Sequence, residues 1–125
     1  MEIKFHLRAR ALICKNNQIL LARAKGENYT FFPGGHIEHG EKAEDALVRE
    51  INEKLGAASQ IKSFLGVIEN CWSQEGVRQH EINLIFELNA PDLNINANPV
   101  SRENHIEFLW SKIDDLENNN LLPKS

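Results

Sequence analysis

The chain has 125 residues, 42% hydrophobic and 26% charged, with a formal net charge of −4. That length suits one domain, 1–125, and the hydrophobic fraction supplies an ordinary buried core rather than a disordered segment. The acidic balance leaves no basic footprint for a nucleic-acid polymer, and no apolar run approaches the ~20 residues of a membrane helix.

Residues 4–24 read as two strands. Residues 9–14 are apolar, Lys15-Asn16-Asn17-Gln18 is turn chemistry, and Ile19 to Ala22 resume the apolar run. Asparagine tolerates the left-handed backbone that a tight hairpin demands. A polar loop, 25–30, leads through Phe31-Phe32 into Pro33-Gly34-Gly35, where irregular backbone is expected. Residues 43–55 read as a helix. At about 100° per residue, Leu47, Val48, Ile51 and Leu55 fall within an arc of about 100°, which is the expected core face. Gly56 is the expected stop.

Residues 61–72 and 77–88 read as the arms of a long hairpin around Ser73-Gln74-Glu75-Gly76. In the second arm Ile82, Leu84, Phe86 and Leu88 alternate with Asn83, Ile85 and Glu87, so one face is expected to be buried. Residues 90–104 form a polar loop and 106–110 a last short strand. Ser111 is placed to cap a short helix through Leu116. The whole predicts a mixed α/β arrangement with a largely hairpin-built sheet. Cys14 and Cys71 lie in apolar stretches without a Cys-x-x-Cys pair and are expected as buried thiols in a reducing cytoplasm. The charged first ten residues carry no secretory signal.

The chemistry concentrates between the glycine turn and the helix. Glu50 and Glu53 are one turn apart and beside the apolar arc. Arg49 lies four residues before Glu53 and is placed to pair with it. Two adjacent carboxylates repel unless a cation sits between them, and a hard divalent ion selects oxygen ligands. Glycines bring main-chain carbonyls close to such an ion, and Glu38 and Glu41 extend the acidic cluster. Alone, Glu50 and Glu53 favour a solvated acidic face; the glycine turn, the fixed spacing and the Arg49 pair move the reading toward a site for metal and polyphosphate. Lys54, four residues after Glu50, has the favourable order for an ion pair with it.

Together these residues resemble the box of the Nudix hydrolases, a MutT-like pattern of Gly, five residues, Glu, seven residues, then Arg-Glu-aliphatic-x-Glu-Glu-x-Gly-aliphatic. Gly35, Glu41, Arg49, Glu50, Ile51, Glu53 and Gly56 match it, Ala57 matches weakly, and Lys54 replaces the second glutamate of the pair. Phe31 to Gly35, Glu69-Asn70, His80-Glu81-Ile82 and residues 105–110 extend the resemblance over nearly the whole chain. It implies an α/β/α sandwich around a mixed, largely antiparallel sheet. It also implies hydrolysis of the pyrophosphate linkage of a nucleoside diphosphate derivative, such as a nucleoside triphosphate, ADP-ribose or a nucleotide sugar, with Mg²⁺ or Mn²⁺.

By position, the resemblance makes Glu50, Glu53, Glu81 and a carbonyl of Gly34 or Gly35 the metal ligands. Glu50 is also the candidate general base, Arg49 its support, and Arg23 a phosphate-steering residue. Lys54 changes the local charge by two units; it is expected to weaken metal binding and to offer its ammonium to a substrate phosphate. A catalytically impaired binding module for a nucleotide or protein is the alternative that Lys54 favours. Arg8 and Arg10 share one strand face and read equally as pocket residues or as edge charges. Tyr29, Phe32 and Trp72 are candidates for stacking on a base, and Trp110 for the core. His36, His39, His80 and His105 lack zinc spacing and read as surface or hydrogen-bonding residues. The expected partner is a small nucleotide, with no nucleic-acid polymer and no membrane; a homodimer is compatible with the family.

Overall fold

A computed structural model describes residues 2–122. The chain runs β1 (Ile3–Leu12), β2 (Cys14–Lys15), β3 (Gln18–Ala24), β4 (Gly34–His36), α1 (Ala43–Leu55), β5 (Gln60–Gln74), β6 (Val77–Asn89), β7 (Ile106–Lys112) and a 3₁₀ turn, Ile113–Asp115. Two sheets result. One has the order β4-β1-β6-β5, with β1 and β6 parallel and the other neighbours antiparallel; the second is antiparallel, β2-β3-β7.

The turns follow from their residues. Asn16 and Asn17 adopt φ of 49° and 61° between β2 and β3, and Glu75 and Gly76 adopt 52° and 78° between β5 and β6. Two successive positive φ values fit the right-handed twist of paired strands. Helix α1 ends at Gly56, whose left-handed backbone lets its N–H bond the Asn52 carbonyl. Glu44 and Asp45 in the first turn and Lys54 in the last complement the helix dipole.

Core packing joins α1 to both sheets. Leu47 and Ile51 pack with Ala9 and Ala11 of β1, Leu20 and Ala22 of β3, Phe86 and Leu88 of β6 and Phe108 of β7. Val48 and Leu55 of the expected arc are only half-buried, while Ala46 is fully buried, so the helix is turned slightly from the expected orientation.

Three expectations change. Gly34 and Gly35 are not irregular backbone but pair with Arg10 and Ala9 in β4. Ser111 caps no helix: it lies in β7, and the strand ends in a three-residue 3₁₀ turn without a side-chain cap. Cys14 and Cys71 are exposed. In β6 the expected face is kept, with Phe86 and Leu88 in the core and Leu84 packed against it, but the polar row Gln79, Glu81 and Asn83 on the opposite face is buried as well. Among the described residues, no helix is long and apolar enough to cross a membrane.

Candidate active site

The burial of the polar row in β6 comes from what that row faces. By strand register, His6, Arg8 and Arg10 of β1 lie on the same face as Glu81, Asn83 and Ile85 of β6 and Asn70 and Ile68 of β5. That face is the floor of a cavity of about 800 Å³. Gly34, Gly35 and His36 of β4, Lys54 of α1, and the aromatic residues Tyr29, Phe31, Phe32 and Trp72 complete its lining. Arg8 and Arg10 are thus pocket residues on an interior strand, not edge charges.

The floor is cross-linked by charge. Arg8 Nη1 donates to Glu81 Oε2, and Arg10 Nη2 lies 3.8 Å from the same oxygen. Asn83 Nδ2 donates to Glu81 Oε1 at 2.7 Å, while Asn83 Oδ1 accepts from Arg10 Nε at 3.2 Å. Arg10 also donates to the Phe32 carbonyl and lies 5.4 Å from the centre of the Phe31 ring. Burial, aided by neighbouring Arg8 and opposed by Glu81 and Glu50, pushes the Arg10 guanidinium down to about 10. It therefore remains a cation at neutral pH.

On the helix side Arg49 is the hub. Its guanidinium forks onto Glu41 at 2.8 and 3.0 Å, and reaches Glu50 at 3.1 Å and Glu53 at 3.2 Å. Hydrogen bonding to Glu41 is the main cause that raises Arg49 above its usual range and holds Glu41 below the usual carboxylate range. Glu50 and Glu53 are not equivalent: the side chain of Glu50 is 13% exposed and that of Glu53 is 56% exposed. Lys54 Nζ contacts Glu50 Oε2 at 3.4 Å and donates to the Gly34 carbonyl.

Glycine is required at the contact with Glu50. A Cβ on Gly35 would come within 2.5–2.7 Å of the Glu50 carboxyl group, and one on Gly34 would overlap the Ala9 carbonyl.

The four metal donors expected from the sequence, Glu50, Glu53, Gly35 and Glu81, do not form one cage. Glu81 is held by two arginines and Asn83, Glu53 turns to Arg49, and Glu50 lies between Arg49 and Lys54. Among the described residues, no three His, Cys, Asp or Glu side chains converge to hold an ion. As arranged, this donor set does not fit a resident divalent metal. Arg23 pairs with Glu107 at 2.7 Å and does not line the cavity.

A histidine chain beside the pocket escaped the sequence reading. Gln79 Oε1 accepts from His6 Nε2–H at 2.7 Å, which leaves His6 Nδ1 to accept from His36 Nε2–H at 3.2 Å. His6 stacks on Trp72, with ring centres 6.1 Å apart. Desolvation, then the charges of Arg8, His6 and Arg10, lower the His36 pKa against an opposing pull from Glu50. The period-two row Gln79-Glu81-Asn83 was the available signal for a polar interior face.

Comparison with known proteins agrees with this architecture. The two sheets and helix have the Nudix α/β fold, and a MutT NUDIX hydrolase from Burkholderia pseudomallei superposes with a TM-score of 0.70 at 26% identity, covering 98% of this chain and 89% of that one. The family model for the NUDIX domain matches residues 4–125, and the chain belongs to the NUDIX family. A stretch of 95 residues is 35% identical to an ADP-ribose pyrophosphatase of Methanocaldococcus jannaschii, covering 74% of this chain and 55% of that relative. The chain thus spans about half the length of that protein. An RNA pyrophosphohydrolase of Wolbachia pipientis subsp. Culex pipiens is 26% identical over 113 residues, covering 82% of this chain and 70% of the relative. Nudix enzymes generally use divalent metals such as Mg²⁺ or Mn²⁺.

Proposed function

We propose that this chain hydrolyses the pyrophosphate linkage of a small nucleoside diphosphate derivative, with the polyphosphate over Arg8, Arg10 and Lys54. The observation that carries the proposal is the composition of one cavity: three cations and four aromatic side chains line the same space of about 800 Å³. Cations meet phosphate oxygens, and an aromatic face accepts a base or a sugar edge. A volume of this size suits a nucleotide-sized ligand.

In the reaction a water oxygen attacks phosphorus, the bridging P–O bond breaks, and the leaving phosphate carries away the electron pair. Glu50 is the proposed acceptor of the water proton, because it combines a low exposure with contact to the Gly35–Lys54 wall. Arg49 holds the Glu50 side chain in place. Arg8, Arg10 and Lys54 orient the phosphates and offset their charge as it shifts to the leaving group. Glu81 fixes Arg8 and Arg10 from below and is a positioning residue in this reading. Tyr29, Phe32 and Trp72 are the proposed base contacts.

The names of the two curated relatives put ADP-ribose and an RNA pyrophosphate in the test panel, beside nucleoside triphosphates and nucleotide sugars. We place the activity in the cytoplasm, on a small nucleotide rather than on a membrane or a long nucleic acid. One observation favours a second reading: the ammonium of Lys54 already engages Glu50, which suits a nucleotide-binding module without turnover.

A cleavage screen separates the two. Purified protein is incubated with the panel in Mg²⁺ and in Mn²⁺, and thermal unfolding is recorded with each nucleotide. Cleavage of at least one compound, with release of a mononucleotide, is the expected result. Thermal stabilisation by a nucleotide without cleavage selects the binding module. Neither stabilisation nor cleavage removes both readings.

A further inference from the structure

Two oxygens across the gap between α1 and β4 share a single partner. The Gly34 carbonyl and Glu50 Oε2 both contact Lys54 Nζ, the second at 3.4 Å. A gap lined by a carboxylate and a main-chain carbonyl is one that a hard cation selects. In this chain the cation is covalently attached. Its side chain is 19% exposed, so the ammonium is held against the wall rather than free in solvent. The bare Cα of Gly35 lies against the Glu50 carboxyl, where any side chain would collide with it. The same lysine lines the cavity beside Arg8 and Arg10.

We propose that Lys54 is a tethered cation that takes the Glu50–Gly34 position in place of a divalent ion and presents its remaining donor to a substrate phosphate. An ammonium has three N–H donors. One donates to the Gly34 carbonyl while the charge pairs with Glu50, which fixes its position and leaves an N–H for the cavity. The charge is delivered as a point on a flexible stem, suited to a phosphate oxygen whose exact place varies with the substrate. A divalent ion entering the same gap would have to displace the ammonium and then remain beside a like charge.

The second half of this inference rests on the hydrolase reading; exclusion of metal from Glu50 is a property of the free protein and is measured without nucleotide. Mn²⁺ is titrated into the nucleotide-free full chain, and the electron paramagnetic resonance signal of free Mn²⁺ gives the amount bound. The parent and Glu50→Gln are expected to take up the same small amount. Lys54→Glu is expected to gain a site tighter by roughly tenfold or more, because a repelling charge has become an attracting one. That site is expected to disappear when Glu50→Gln is added to it. Lys54→Gln removes the charge without reversing it and is expected to gain a weaker site, which keeps the test valid if the reversal disturbs folding.

A saturable site in the parent that Glu50→Gln removes, with an affinity within about threefold of that in Lys54→Glu, would overturn the proposal. So would the same Mn²⁺ uptake in all five proteins. If the metal pattern is as expected and no nucleotide is cleaved, the tethered cation stands and the hydrolase reading is the part that fails.

Discussion

Two charged clusters, one on the helix behind Lys54 and one on the floor of the cavity, are built in opposite ways. The helix cluster, Arg49 with Glu41, Glu50 and Glu53, comes from residues close in sequence and is partly open to water. The sheet cluster, Arg8 and Arg10 with Glu81 and Asn83, joins strands 73 residues apart and is more deeply buried. Solvent screens the first and leaves each ion pair worth little. Burial makes the second costlier to break, because Glu81 is buried and its arginines are only partly open to water. The helix side therefore supplies adjustable chemistry, and the sheet side supplies a fixed floor.

The comparison breaks most clearly at Glu81. Glu81→Ala removes the buried carboxylate shared by two half-buried guanidinium groups and is expected to cost about 3–5 kcal/mol of stability, read as a lower urea midpoint. A loss below about 1 kcal/mol would mean that the floor is as well solvated as the helix cluster. Next comes Gly35→Ala, whose methyl group collides with the Glu50 carboxyl. Turnover is expected to fall by about 10²-fold, since small displacements of a reacting group have effects of that size. Its thermal midpoint should move much less than that of Glu81→Ala, because Glu50 can swing outward.

Arg49→Ala should cost only about 1 kcal/mol in low salt, with the difference shrinking as salt is added. Loss that is independent of salt would place Arg49 with the buried cluster instead. The smallest effect is that of pH on His36. Its folded pKa lies below its ordinary value of 6.5, so the unfolded chain binds more protons as pH falls below that value. The contribution is complete above pH 6.5 and is lost as pH falls toward the lowered folded value. The urea midpoint of the parent should drop between pH 7.5 and 5.5 by more than that of His36→Asn. Equal drops in the two proteins would remove His36 as the cause.

The same contrast explains what was legible in the sequence. Helix α1 and its box were readable because their spacing is fixed within one element: the expected and observed helix have the same bounds, Ala43–Leu55. The pairing of Lys54 with Glu50 followed from the four-residue offset alone. The Asn16-Asn17 turn was readable from local backbone chemistry. The sheet floor was not. Hydrophobic alternation in β6 marked one buried face, but strand pairing puts Glu81 beside Arg8 and Arg10 and buries the polar row Gln79, Glu81 and Asn83 as well. Nothing local to β6 encodes those partners. The contact of Lys54 with the Gly34 carbonyl was hidden for the same reason: it depends on where β4 pairs with β1.

The most direct test of the central claim is the steady-state rate of Glu50→Gln against the parent on the best substrate of the screen. Removing a proton acceptor that touches the reacting water is expected to lower kcat by about 10²-fold or more, with the variant still folded and still stabilised by the nucleotide. A Glu50→Gln protein that turns over at the parental rate would contradict the account and move the chemistry away from the Glu50–Lys54 wall.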